Sequence, residues 1–366
     1  MTRRILFLVN GLGLGNSTRC YAVMRRLLAV GAEVEVVTSD NGLWFFADKP
    51  DAGRVSEMPS LRYGAKEGRL SVAATLRQAG EMVSILRRAE AVVAAAIARF
   101  RPHAVVGDSI YSFRAVRRAG VPLAAINNAD MVVRGMARFR DWPGAVLPQF
   151  VCVELADYLY HRAVPDLVIS PRLDPADAEA GGTFRAVGPI VREACRRVAE
   201  TGRRPERVMI MLSGSVFGSP VLLPRRRAGA DGPRIDVVGR SPPDDGIAPP
   251  GVTYHGKLRD SLALMHQADL LVVNGGCSAV SEALVLGKPM VVLPVPRHAE
   301  QWVNSRIIRH LGVGIAAAES GLEDAIDAAL ASIDRLRAGY RAMPPYGDGA
   351  THAAELILAL AGTSGR

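Results

Sequence analysis

Short apolar runs alternate with helix-like stretches along nearly the whole chain, and this alternation constrains the fold more than any other feature. The runs in the first half cover residues 4–10, 33–39, 103–109, 122–128 and 166–170; those in the second cover 208–214, 234–239, 252–256, 270–276 and 289–295. Helices are expected over 17–30, 71–100, 260–268, 277–286, 300–311, 321–343 and 348–361. Strand–helix–strand order of this kind builds parallel sheets with helices on both faces. The texture changes at "GPIVREACRRVAETGRRPER", residues 188–207, a charged stretch that opens on Gly-Pro and reads as a connection. The expected class is therefore α/β, with one doubly wound domain over 1–187 and a second over 188–366, facing each other across a cleft.

The composition agrees: 366 residues, 49% hydrophobic and 22% charged, suffice for two cores. No run reaches the roughly 18 apolar residues of a membrane span, and the apolar N-terminus is too short for a signal sequence, so a cytoplasmic location is expected. Cys20, Cys152, Cys195 and Cys277 stand far apart, with no metal-ligand or disulfide spacing. The net charge of +9 is carried almost wholly by arginine, lysine occurring only at 49, 66, 257 and 288. Aromatics are only 5% and do not interleave with the basic residues, which argues against a nucleic-acid partner. An anionic ligand or an anionic membrane face fits the charge better.

Two glycine-rich turns carry the chemistry. "NGLGLGNSTRC", residues 10–20, joins the first strand to the first helix. A dinucleotide fingerprint needs G-x-G-x-x-G, but the third glycine falls on Asn16 in one frame and Thr18 in the other. No Gly-Lys-Ser/Thr exists, so a P-loop is excluded as well. What remains is a backbone able to approach a ligand at a helix start, with Asn16, Ser17 and Thr18 as candidate caps.

The second turn opens "VVNGGCSAVSEALVLGKPMVVLPVPRHAEQWVNSRIIRHLGVGI", residues 272–315. Gly275 and Gly276 let the main chain approach a diphosphate, and the helix from Cys277 offers its unsatisfied N–H groups and positive dipole end. Ser278 can donate a hydroxyl hydrogen bond. Glu282, one turn on along the same face, can accept both hydroxyls of a ribose. "PRHAEQ" sets His298, Glu300 and Gln301 on a loop after a strand, where ligands of such sheets collect.

This segment closely resembles the donor-binding signature of GT-B glycosyltransferases, GG-x-x-[ST]-x-x-E-[AS]-L-x-x-G-x-P followed by a strand, an acidic residue, Gln and then Asn; the match runs from Gly275 to Asn304. "GLGLGNSTR" is similar to the acceptor-side G-x-G-x-G-H-x-x-R loop of MurG-like bacterial members, and "VVGDS", "INN" and "VGPIVRE" resemble later parts of the same family. The resemblance implies a GT-B fold of two facing Rossmann-like domains, with the terminal helix 348–361 packing back on the first. It implies that Asn274, Gly275, Gly276, Cys277 and Ser278 hold a diphosphate together with Ser213, Gly214 and Ser215. Glu282 would hold the ribose, the backbone of Gly256, Lys257 and Leu258 would read a nucleobase, most often uracil, and His298, Glu300 and Gln301 would hold the donor sugar. Gly13, Leu14, Gly15, Ser17, Asn127, Asn128 and Asp130 fall on the acceptor side. The family generally uses no metal and no cofactor beyond the nucleotide-sugar co-substrate.

The chain departs from the family at two positions. Asn274 replaces a histidine before the glycine pair, and Asn16 stands where relatives carry a histidine often proposed as a base. Asparagine cannot take up a proton near neutral pH, so Asp108, ending "HAVVGD", is the expected general base, Asp130 the reserve, and Asn16 an orienting group. The expected activity is inverting, metal-independent transfer of a GlcNAc-type sugar from a nucleotide diphosphate to an acceptor, either a small natural product or a lipid-linked envelope precursor. Residues 71–100 and the arginine- and aromatic-bearing 134–162 could line the acceptor site or dock on the inner face of an anionic membrane. A silent nucleotide-sugar-binding partner and a UDP-sugar 2-epimerase are the alternatives.

Overall fold

The computed structural model describes residues 2–59, 65–66, 69–70, 72–111, 113–177, 181–197, 204–212, 232–242 and 248–363, with side chains omitted over 65–82. The first domain runs Arg4–Val9 (β1), Leu14–Ala29 (α1), Glu33–Thr38 (β2), Asp40–Phe46 (α2), Val55–Glu57 (β3), a hairpin of Ala65–Lys66 (β4) and Arg69–Leu70 (β5), Val72–Phe100 (α3), Ala104–Asp108 (β6), Arg114–Arg118 (α4), Leu123–Ile126 (β7) and Ala129–Arg138 (α5). It continues through Leu147–Gln149 (α6), a π-helical turn over Phe150–Leu155, Ala156–Ala163 (α7), Leu167–Pro171 (β8) and Phe184–Val187 (β9). The second runs Arg207–Met211 (β10), Arg234–Val238 (β11), Val252–Tyr254 (β12), Leu262–Gln267 (α8), Leu270–Val273 (β13), Cys277–Leu286 (α9), Met290–Val292 (β14), Ala299–His310 (α10), Gly314–Ala316 (β15), Leu322–Ala331 (α11), Ile333–Ala342 (α12) and Gly349–Gly362 (α13).

The first sheet has the order β3-β2-β1-β6-β7-β8-β9 and the second β12-β11-β10-β13-β14-β15, every pairing within them parallel. Both faces of such sheets are covered, which is why β1 reads "RILFLV" with Ile5 to Val9 wholly buried rather than alternating. One face of the first sheet packs on α1 and α13 through Val23, Leu27, Ala353 and Ile357; the other packs on α3 and α4 through Val93, Ile97 and Val116. In each sheet the order reverses once, between β1 and β6 and between β10 and β13, and each reversal opens a crevice at the carboxyl ends of those strands.

The last helix lies on the first domain although it is the last element of the chain. Ala350, Ala353, Ala354, Ile357 and Ala361 are buried against α1 and the first sheet. Gly349 permits this, because a β-carbon there would come within 2.1 Å of the Gly188 carbonyl oxygen. Further contact between the domains comes from α5 on α10, where a β-carbon at Gly135 would meet Val303 at 2.2 Å, and from α1 on α9.

Candidate active site

The two crevices open into one cavity of about 360 Å³ between the domains. Its first-domain wall includes Gly13, Leu14, Gly15, Asn16, Arg19, Ser109 and Asn128; its second-domain wall includes Lys257, Leu258, Asn274, Gly276, Cys277, Ser278, Glu282 and Glu300. Both α1 and α9 begin there. Gly13 is the N-cap of α1 and Gly276 that of α9; neither helix has a side-chain cap or an acidic residue in its first turn. Two helix starts therefore present N–H groups and positive dipole ends to one space. They touch: Ser278 Oγ donates to the Gly15 carbonyl at 3.1 Å.

The helix α1 starts at Leu14, so Asn16, Ser17 and Thr18 do not cap it, which corrects the expectation from sequence. Thr18 Oγ1 donates back to the Leu14 carbonyl at 2.8 Å, and Asn16 Nδ2 donates to the Asn10 carbonyl at 3.3 Å. Ser17 is wholly buried and lines no part of the cavity. Gly11 is glycine for packing, since a β-carbon would overlap the Ser39 carbonyl oxygen at 1.7 Å.

The donor-side turn is held from behind. Gly275 sits at φ 89°, with the position of a β-carbon only 2.9 Å from Val292 Cγ1. Its carbonyl accepts from Asn304 Nδ2 at 2.8 Å, inside the protein. Gln301 Oε1 accepts from the Val295 N–H at 2.9 Å and Asn274 Nδ2 donates to the Leu293 carbonyl at 3.2 Å, so both side chains brace the loops. Gln301 and His298 are not on the cavity wall, while Glu300 is, accepting from Asn128 Nδ2 across the domains at 3.1 Å. Gly256, at φ 62°, turns the chain into Lys257 and Leu258. Ser213, Gly214 and Ser215 lie outside the described residues.

Asp108, the expected base, is held in an ion pair and is not on the cavity wall. The residue is wholly buried, and its oxygens accept from Arg19 Nε and Nη2 at 2.6 Å each, with Cys20 Sγ and Ser109 Oγ both at 3.2 Å. Burial works against the charge of Arg19, but Asp108 overrides it and raises the guanidinium pKa. Asp130 is also buried, gripped by Ser170 and Arg172 at 2.5 Å each, and Asn127 is spent on Asp157 (2.7 Å) and the Ala129 N–H (2.7 Å). Neither lines the cavity, where acceptor contacts were expected of both.

Two site features escaped the sequence. Arg192, in the connection, forks onto Glu282 with Nε–Oε1 at 2.7 Å and Nη2–Oε2 at 2.9 Å, and also pairs with Asp260. Its presence in "VGPIVRE" is the only signal for it. Glu154, on the π-helical turn, joins His298 and Glu300 in a cluster whose donor and acceptor atoms lie within 4.8 Å of one another. Gln149 ties the cluster together, donating Nε2 to Glu154 at 2.7 Å and accepting from the Ala299 N–H at 2.8 Å at the start of α10. Burial, reinforced by Glu300, pushes the Glu154 carboxyl up to about 8, and burial pushes His298 below the usual imidazole range against the pull of Glu300. Burial thus favours the neutral forms of Glu154 and His298. The folded chain keeps Glu154 protonated between its unfolded pKa of 4.5 and about 8, while the unfolded chain releases that proton. Stability is thus fully present below the unfolded value and is lost as pH rises towards 8, by up to ~1.4 kcal/mol per pH unit. Glu154→Gln should flatten this loss in urea midpoints taken from pH 5 to 8; parallel curves for the two proteins would remove the assignment.

Two facing parallel-sheet domains with the site in the cleft between them define the GT-B architecture. Residues 3–140 match the family model described as glycosyl transferase family 1, and residues 254–346 match the glycosyltransferase family 28 C-terminal domain. An uncharacterized glycosyltransferase of Methanosarcina acetivorans is 24% identical over 341 residues, covering 85% of this chain and 84% of that one. A UDP-N-acetylglucosamine–N-acetylmuramyl-(pentapeptide) pyrophosphoryl-undecaprenol N-acetylglucosamine transferase of a Nocardioides species is 28% identical over 254 residues, 65% of each chain. The crystal structure of the calicheamicin glycosyltransferase CalG4 superposes with a TM-score of 0.66 at 20% identity over the full length of both chains, a likeness of fold. The chain is a glycosyltransferase of the GT-B type. Among the described residues, no helix is long and apolar enough to cross a membrane.

Proposed function

We propose that the chain is an inverting, metal-independent transferase that moves a sugar, of the GlcNAc type, from a UDP-linked donor to a hydroxyl of an acceptor held by the first domain. The observation that supports this most is the pair of helix starts at Gly13 and Gly276, without side-chain caps, facing one cavity. Breaking the anomeric bond leaves charge on the diphosphate, and N–H groups fixed in place beforehand stabilise that charge without reorganisation. Arg192, already at the wall, adds a guanidinium; exchanging one of its Glu282 contacts for the diphosphate frees a carboxylate oxygen for the ribose. The backbone at Leu258 faces the nucleoside end. In this reading the chain's own dipoles and arginines supply the field that a cation gives elsewhere.

The acceptor hydroxyl must lose a proton as it attacks. Of the carboxylates on the cavity wall, Glu282 is held by Arg192, whereas Glu300 makes no ion pair among the described residues. Glu300 is therefore the proposed proton acceptor, in place of Asp108. Val151 and Leu159, each about half exposed on the helical stretch that carries Glu154, give the first domain an apolar surface suited to a hydrophobic acceptor or a lipid face.

Thermal shifts against UDP, dTDP, GDP and ADP test the donor side. UDP at about 100 times its Kd should add ~2.7 kcal/mol of stability. Absence of a shift with every nucleotide would end this reading. Incubation with labelled UDP-GlcNAc then separates the chemistries: a new glycoside supports transfer, an epimerised donor or binding without turnover favours the alternatives.

A further inference from the structure

The nucleoside end of the cavity is walled by both domains, and the contact between them there is aromatic and cationic. Lys257 Nζ and Arg259 Cζ, from the loop after β12, each lie 4.6 Å from the ring centroid of Trp44 on α2. Lys257 also donates to Asn41 Oδ1 at 2.5 Å, and Arg259 donates to Asp48 Oδ2 at 3.3 Å. Both distances to the ring are well inside the ~6 Å over which an indole face attracts a cation.

The first-domain side of this contact is rigidly mounted. Phe45 and Phe46, the next two residues, are buried in the first core and pack edge to face at 5.0 Å, with Tyr21 edge-on to both at 6.0 and 6.3 Å. The second-domain side is a loop that leaves β12 through Gly256 at positive φ, with open space around the position of its missing β-carbon. A loop carrying two cations beside an anion site would be drawn towards the diphosphate. Here its cations are engaged on the opposite side, by Trp44, Asn41 and Asp48.

We infer that Trp44 is a positioning residue for the donor: an aromatic clasp from the acceptor domain that holds the loop Gly256–Arg259 where its backbone can receive the nucleobase. The inference rests on the donor reading given above and adds a consequence to it. The nucleoside half of the site is complete only when the domains are closed, because part of its wall is fastened by the other domain. Lys257 then contributes to donor recognition through its main chain, while its ammonium group belongs to the clasp.

Calorimetric titration of the full chain with UDP tests this in wild type, Trp44→Ala, Trp44→Phe and Trp44→Leu. Trp44→Ala should weaken UDP binding about tenfold with little change in Tm, since the ring is half-buried at the edge of the core. Trp44→Phe keeps a cation-attracting face and should recover most of the affinity, whereas Trp44→Leu, which fills space without such a face, should not. Small-angle scattering without ligand should show a larger radius of gyration for Trp44→Ala than for wild type. Wild-type UDP affinity in Trp44→Ala, failure of phenylalanine to rescue it, or equal rescue by leucine would overturn the clasp while leaving the donor reading intact. No binding of UDP or any other nucleotide to the wild-type chain would overturn both.

Discussion

Asp108→Ala is expected to destabilise the folded chain by ~3–5 kcal/mol, the cost of stranding a buried guanidinium without its partner. Arg19 is 7% exposed, at the cavity wall, and Asp108 is fully buried, so little solvent is at hand to take over the lost contacts. The pair is bidentate at 2.6 Å on both arms, which makes the loss steep when one side is removed. Urea unfolding checks the value, with the slope of the transition expected to stay constant. Replacing both residues together, Arg19→Met with Asp108→Leu, should recover most of the loss, because a buried ion pair is often no better than apolar groups of similar volume. A single alanine variant within 1 kcal/mol of wild type would show that the pair is solvated in solution. The same variant bears on mechanism. If Asp108 anchors Arg19 rather than abstracting a proton, activity measured well below the melting temperature should keep the pH profile of the wild type.

The second large effect concerns Gly276. Its backbone does not require glycine: φ is −63° and ψ 139°, and nothing lies within 4 Å of where a β-carbon would stand. Gly276→Val should therefore change stability by no more than about 1 kcal/mol, the scale of an N-cap substitution. Its side chain would project from the cavity wall at the start of α9. The ~2.7 kcal/mol of stabilisation expected from UDP at 100 times its Kd should vanish. Thermal melting with and without UDP measures both quantities at once, and a full ligand shift in Gly276→Val would place the diphosphate elsewhere. The neighbouring Gly275 should behave in the opposite way, since its positive φ and the nearby Val292 make any side chain strained whether or not ligand is present.

Legibility from sequence followed the range of the interactions. The long apolar runs announced both sheets, and the Gly-Gly-x-Ser-x-x-x-Glu spacing placed Gly276, Ser278 and Glu282 on one wall because helix geometry fixes such neighbours locally. The strands Val55–Glu57, Phe184–Val187 and Gly314–Ala316 are not announced, because polar residues or glycine break up their few apolar positions. The surroundings of Asp108 were illegible for a different reason. A carboxylate at the end of a strand looks the same whether it faces a cleft or an arginine, and Arg19 is 89 positions away in the chain. Glu154 was hidden by the π-helical turn, which inserts a residue into the helical repeat and turns its side chain towards His298 and Glu300.

The position of α13 has a consequence for how this molecule comes into being. A nascent chain ordinarily folds its leading domain while the rest is still being made. Here the α1 face of the leading domain is covered by the fourteen-residue helix Gly349–Gly362, which is made after the whole second sheet. Until then the apolar surface that receives Ala353 and Ile357 stays open to water. A first domain made without α13 should therefore leave that apolar face exposed and be prone to association.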